Sequence, residues 1–164
     1  MAYTFKMLLP FFFFRWWEME PVGYYIREAT WIFAIVETVH IMALAVFLGT
    51  IFVIDLRLLG FGMKKQTPAE VSRDLMPWTL TSLVFMLITG LLLFSSEAIR
   101  MSTSSPFFWK IVLFTLGLIV QFTLTRKATQ PNSNVGPGFA KLAGCLSLIC
   151  WFGVALAGRA IAFL

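Results

Sequence analysis

Four ionisable residues, Glu37, His40, Lys110 and Arg159, fall inside long apolar stretches of the chain. An ionisable group at membrane depth is costly unless it is paired or hydrated, so each of the four needs a partner or a function. His40 is the only histidine and stands one helical turn from Glu37. Imidazole can bind haem iron or another metal, and Glu-x-x-His is the helical unit of di-iron carboxylate bundles. Those bundles use two such units and two further carboxylates, whereas this chain has one unit, so a di-iron site is disfavoured. Counting also excludes a haem held by two histidines of one chain. A haem would need Met42 or Met86 as its second ligand, an open position, or His40 from a second subunit. The plainer role, and the favoured one, is a neutral imidazole hydrogen-bonded to Glu37 or to a neighbouring helix. A proton relay or a quinone contact through Glu37, His40, Lys110 and Arg159 is the remaining chemistry that these residue types allow. Nucleophilic catalysis has no support, because no Ser or Cys stands at helical spacing from His40, and no phosphate-binding glycine loop occurs. No catalytic residue, no dedicated metal site and no enzymatic activity are expected.

These residues must be positioned by membrane helices. Of the 164 residues, 59% are hydrophobic and only 13% charged, a composition that water would not tolerate on a globular surface. A span needs about 20 mostly apolar residues, and the chain holds four such runs, near 31–54, 77–94, 107–125 and 140–163. The expected fold is therefore all-α: an integral membrane four-helix bundle of up-down-up-down topology, preceded by an N-terminal interfacial segment over 1–29. That leader is aromatic and broken by Lys6, Pro10 and Arg15, too short to span, with Trp16, Trp17, Tyr24 and Tyr25 suited to the headgroup boundary. Arg15-Trp16-Trp17-Glu18 offers no small-residue cleavage site, so a cleaved signal peptide is not expected. The second span is expected to begin near Pro77, after a polar loop from Gly60 that contains Lys64, Lys65, Glu70, Arg73 and Asp74. Cys145 and Cys150 lie in the last span at a spacing that fits neither a zinc ribbon nor a redox pair, and read as small reduced core residues.

The net charge of +5 sits between the apolar runs rather than on a continuous stripe, so it reads as a topology determinant and not as a nucleic-acid surface. Arg57, Lys64, Lys65 and Arg73 lie in the first loop, with Arg126, Lys127 and Lys141 around the third. Lys6, Arg15, Arg27 and Arg100 are on the other side. The bias places both termini on the non-cytoplasmic side of a bacterial inner membrane. Spacing predicts two ion-pair clamps. Glu37 and Asp55 are 18 residues apart, as are Lys141 and Arg159, so each pair shares one helix face. Antiparallel first and fourth helices would bring Glu37 towards Arg159 and Asp55 towards Lys141. Ala140, Gly144, Ser147, Gly153 and Ala157 recur at three- or four-residue steps, or close to them, and predict close packing of the last helix.

Glu37-Thr38-Val39-His40, Gly49-Thr50, Asp55-Leu56-Arg57-Leu58-Leu59-Gly60 and the closing Ala157-Gly158-Arg159 together resemble a family of small bacterial four-helix membrane proteins of unknown function, over about residues 25–164. At a greater distance, a histidine followed by an apolar run and a glycine on the first helix is similar to the copper-resistance CopD membrane proteins. Those are larger and carry further histidines that this chain lacks, so copper handling is not implied. The function expected is that of a non-catalytic accessory or scaffold subunit of a larger bacterial membrane complex, of respiratory or photosynthetic type, partnered by lipid and by other subunits or copies of itself. Two alternatives stay open: a redox or metal-binding protein with His40 as haem b or copper ligand, and transport of a proton or small solute.

Overall fold

The start of the second long helix shows how local chemistry sets the architecture. Thr67-Pro68-Ala69-Glu70 is a capping box: the Glu70 backbone N–H donates to the Thr67 hydroxyl at 3.3 Å, and the Thr67 N–H donates to the Glu70 carboxylate at 2.7 Å. Pro68 occupies the first turn, where its missing N–H costs nothing. The helix therefore begins at Pro68 and not near Pro77, which lies in its interior. Glu70, Arg73 and Asp74, expected in a loop, are helical. Interior Pro77 removes only the hydrogen bond that the Arg73 carbonyl would accept, close to the helix end, where water can replace it.

The computed structural model describes residues 21–62, 65–102, 104–131 and 135–161. The first twenty residues of the aromatic leader, with Trp16 and Trp17, lie outside these, as do Lys64, Asn132 and the last residues of the fourth span. Six helices follow in order: α1 (Pro21–Glu28), α2 (Thr30–Leu59), α3 (Pro68–Ser96), α4 (Ala98–Ser102), α5 (Ser105–Ala128) and α6 (Pro137–Ile161). Among the described residues there is no strand. α2, α3, α5 and α6 are each long and apolar enough to cross a membrane, and most of their surface faces outward, where lipid contacts it. The chain is thus an all-α bundle of a multi-pass membrane protein. α2 passes the expected end at Ile54 and stops at Gly60, whose φ of +92° is the left-handed conformation that glycine adopts without strain. There the Gly60 N–H reaches Arg57 O and the Phe61 N–H reaches Leu56 O. α5 widens into a π turn at Gln121–Thr125 before its last residues.

One end of the bundle, the leader end, carries the start of α2 and α5. The other, the loop end, carries the links α2–α3 and α5–α6. In space the spans run in the order α3, α2, α6, α5, with three extensive interfaces, α2–α3, α5–α6 and α2–α6. α3 and α5 are consecutive spans but share no extensive interface; Phe94 and Phe107 stack at 5.5 Å where α4 links them. Trp151 anchors the centre, edge-on to Phe47 at 4.8 Å and to Phe114 at 5.7 Å. A Cβ on Gly117 would come within 3.1 Å of the Trp151 ring, so that glycine makes room for the indole.

The small residues of α6 serve two neighbours. A Cβ on Gly144 would lie 3.1 Å from the backbone oxygen of Asp55 and 3.3 Å from Leu58, so this glycine lets α6 meet α2. One on Gly153 would lie 2.9 Å from Leu113 on α5. Cys145 is exposed on α6 and Cys150 half-buried, so neither belongs to the interior. Their position on an apolar, lipid-facing surface satisfies thiols as well as a core does.

Candidate intramembrane sites

His40 projects from α2 towards α3, where Thr89 and Gly90 receive it. Its Nδ1 is 2.9 Å from the Thr89 hydroxyl oxygen, which is 2.6 Å from the Phe85 carbonyl one turn earlier. Thr89 has one hydroxyl hydrogen, and the shorter contact to Phe85 takes it. Nδ1 is then the donor to Thr89, and Nε2 keeps its lone pair; this tautomer follows from the hydrogen-bond network. A Cβ on Gly90 would stand 3.2 Å from His40 Cε1, so the glycine admits the ring between the helices. Of the two partners expected for His40, the neighbouring helix is the one it uses. Glu37, one turn away, is exposed.

Lys110 on α5 is half-buried, with its Cε 3.8 Å from where a Gly158 Cβ would stand on α6. Of the four leader-end residues, His40 and Lys110 are half-buried, His40 against α3 and Lys110 against α6, while Glu37 and Arg159 are exposed, with no ion pair within 4 Å between them among the described residues.

The second expected clamp is also absent. Asp55 is 0% exposed, and neither carboxylate oxygen has a hydrogen-bond partner, whereas Lys141 lies exposed on the surface of α6. The antiparallel register of α2 and α6 is as expected, since Phe47 meets Trp151 and Asp55 meets Gly144. The face is not. At 3.6 residues per turn, Lys141 and Arg159 lie about 60–120° around α6 from Gly144, Ser147 and Trp151, and it is this second stripe that packs on α2. An 18-residue spacing establishes that two side chains share a face, but not that the face is the buried one.

At the loop end, where Asp55 is buried, the neighbouring helices carry buried neutral oxygens. Ser147, which faces Asp55 from α6, is 0% exposed, and Gln121 and Thr125 on α5 are 6% and 1% exposed. The Ser147 hydroxyl is 3.4 Å from the Gln121 amide oxygen, and the Thr125 hydroxyl has no partner. Gln121 and Thr125 bound the π turn, an element with no sequence signature that is frequent at functional sites. The sequence signal for them is a polar run, Gln121, Thr123 and Thr125, at the end of an apolar span, of which Thr123 is exposed and the other two are buried. Among the described residues no three His, Cys, Asp or Glu side chains converge on a metal position.

A sequence model of a family described as a family of unknown function (DUF6644) matches residues 13–164. No curated protein and no solved structure matches the chain.

Proposed function

The chain belongs to the DUF6644 family, and we propose that it serves as a non-catalytic accessory subunit of a larger bacterial membrane complex, of respiratory or photosynthetic type. The observation that carries this reading is the side of the bundle left without an extensive interface, between α3 and α5. Both helices present large apolar side chains outward, Trp78, Phe85 and Ile88 on α3 and Trp109, Leu116 and Phe122 on α5. A transmembrane helix of another subunit can close such a seam by van der Waals packing, which drives helix association in lipid. Orientation follows from Arg57, Lys65, Arg73, Arg126, Lys127 and Lys141 at the loop end, which faces the cytoplasm of the inner membrane and leaves both termini outside. Purification in mild detergent from the native membrane tests the reading: a co-migrating partner is expected, and a protein that runs alone or only with itself defeats it.

The lone pair on His40 Nε2 favours a second reading, in which His40 ligates haem b or copper. An Nδ1–H held by a neighbouring oxygen, as the Thr89 hydroxyl holds this one, is the arrangement that orients metal-binding imidazoles. With one histidine in the chain, the second strong ligand would come from another subunit. A visible spectrum and metal analysis of the natively purified protein decide this, since absence of both a Soret band and copper removes the class. A quinone at His40 would instead appear on solvent extraction of the same sample.

A further inference from the structure

We propose that Asp55, Ser147, Gln121 and Thr125 form a binding site for a dehydrated monovalent cation of sodium size, enclosed by α2, α5 and α6. This does not depend on the subunit reading, because the site lies within one chain. Asp55 is wholly buried with both oxygens unpartnered, and the Thr125 hydroxyl beside the same interface is unpartnered too. Buried polar atoms without partners are rare in folded proteins, and a buried carboxylate demands compensation above all others. The atoms available to share a ligand with it are all oxygens: Ser147 Oγ, Gln121 Oε1 and Thr125 Oγ1. A donor set without nitrogen or thiolate selects hard cations over zinc, copper or iron.

Charge and size narrow the class. One carboxylate among neutral oxygens balances one positive charge, whereas a divalent ion would leave an excess charge in a low-dielectric interior. Oxygens at right angles around an ion with bonds of about 2.4 Å stand about 3.4 Å apart, and that bond length is typical of calcium-sized ions, of which sodium is one. Ser147 Oγ and Gln121 Oε1 are 3.4 Å apart, long for a hydroxyl-to-carbonyl hydrogen bond but suited to two ligands of one such ion. Gln121 and Thr125 stand four residues apart at the two ends of the π turn, share one helix face, and are both buried. Among the described residues no basic side chain of the loop end forms an ion pair with Asp55. Arg57 donates its Nε–H to the Gln66 carbonyl at 2.7 Å, Lys127 stands over the Phe139 ring, and Arg126 and Lys141 are exposed, where salt and water screen them.

The test uses the full chain, purified in detergent, with thermal unfolding followed in NaCl, KCl and choline chloride at equal ionic strength and over a range of pH. Sodium is expected to raise the melting temperature saturably over choline, as any ligand of the folded state does. Asp55→Asn should abolish that dependence, and Ser147→Ala and Thr125→Val, which keep the fold if Asp55→Asn does not, should raise the half-saturating sodium concentration by at least about tenfold. Radioactive sodium should bind to the wild type and be displaced by unlabelled NaCl, with no such binding to Asp55→Asn. Equal melting in sodium and choline overturns the proposal, as does a sodium effect that survives in all three variants. A melting temperature that follows pH and ignores sodium also overturns it, and makes Asp55 a protonated carboxyl instead.

Discussion

The two polar layers of the bundle solve the same problem in opposite ways. At the leader end His40 is half-buried and satisfied, with Nδ1 on Thr89 and its ring over Gly90. At the loop end Asp55 is completely enclosed, and among the described residues neither carboxylate oxygen closes a hydrogen bond, although Ser147 stands beside it. The first arrangement is a helix-to-helix contact, reinforced lower on the same α2–α3 interface by Thr50 and Thr79 at 2.9 Å. The second leaves a carboxyl that needs compensation, by a proton or by an added ligand. In a membrane interior, then, a buried polar group signals function when its hydrogen bonds are incomplete, more than when it is merely present.

Trp151 separates the layers, and its removal should have the largest effect. Trp151→Ala deletes the indole that Phe47 and Phe114 pack against, and should cost about 3–5 kcal/mol in reversible unfolding from detergent. A loss below about 1 kcal/mol would mean that the central aromatic packing contributes little and that the layers are not held apart by it. Next in size are two substitutions of opposite expected sign. Asp55→Val, measured in choline chloride without sodium, should stabilise by about 1–3 kcal/mol, because it removes two unsatisfied buried acceptors. Thr89→Val should destabilise by about 1–3 kcal/mol, because it removes the hydroxyl that His40 Nδ1 meets across the α2–α3 interface. If both destabilise equally, Asp55 has a partner and the contrast between the layers fails.

Gly90→Ala sharpens the contrast more gently. The new Cβ meets only the edge of a movable ring at 3.2 Å, while alanine favours the helix by roughly 0.5–1 kcal/mol. Net stability should change by less than about 1 kcal/mol, with the His40 ring resonances shifted in NMR spectra as the ring is pushed from Thr89. Unchanged His40 resonances would show that the imidazole does not rest on Gly90.

How much of this was legible follows from what each signal encodes. The four spans were, because runs of about 20 apolar residues have one stable fate in a chain this size. The start of α3 was written in Thr67, Pro68 and Glu70, but the hydropathy of the segment drew the boundary to Pro77, since a capping box outside an apolar run leaves no trace in apolarity. The small-residue stripe of α6 encodes its close approach to α2 and α5, and it also argues against the clamps, because the face that lets helices touch is the one without long basic side chains. His40 was recognised by type, and its partner Thr89 was not, because a threonine 49 residues away becomes a neighbour only through tertiary packing. Gln121 and Thr125 signal only a polar run in the sequence, and Ser147 signals only packing, because neutral polar residues are ordinary in membrane helices until their burial is known.

The smallest effect is expected where charge complementarity looked most persuasive. Lys141 is exposed on α6 and turned away from Asp55, which faces Gly144 and Ser147. Lys141→Glu should therefore change unfolding stability by no more than about 0.5 kcal/mol, the usual range for a surface substitution. Were Lys141 the hidden counter-ion of Asp55, reversing its charge would set two carboxylates against each other in a dry interior and cost several times as much, on the order of 3–5 kcal/mol. The two outcomes are far enough apart for a single denaturation series to separate them. A near-zero change also bears on the cation site, because it leaves Asp55 with no basic side chain of α6 to neutralise it and so returns the need for compensation to the oxygens of Ser147, Gln121 and Thr125 and to the ion they would hold.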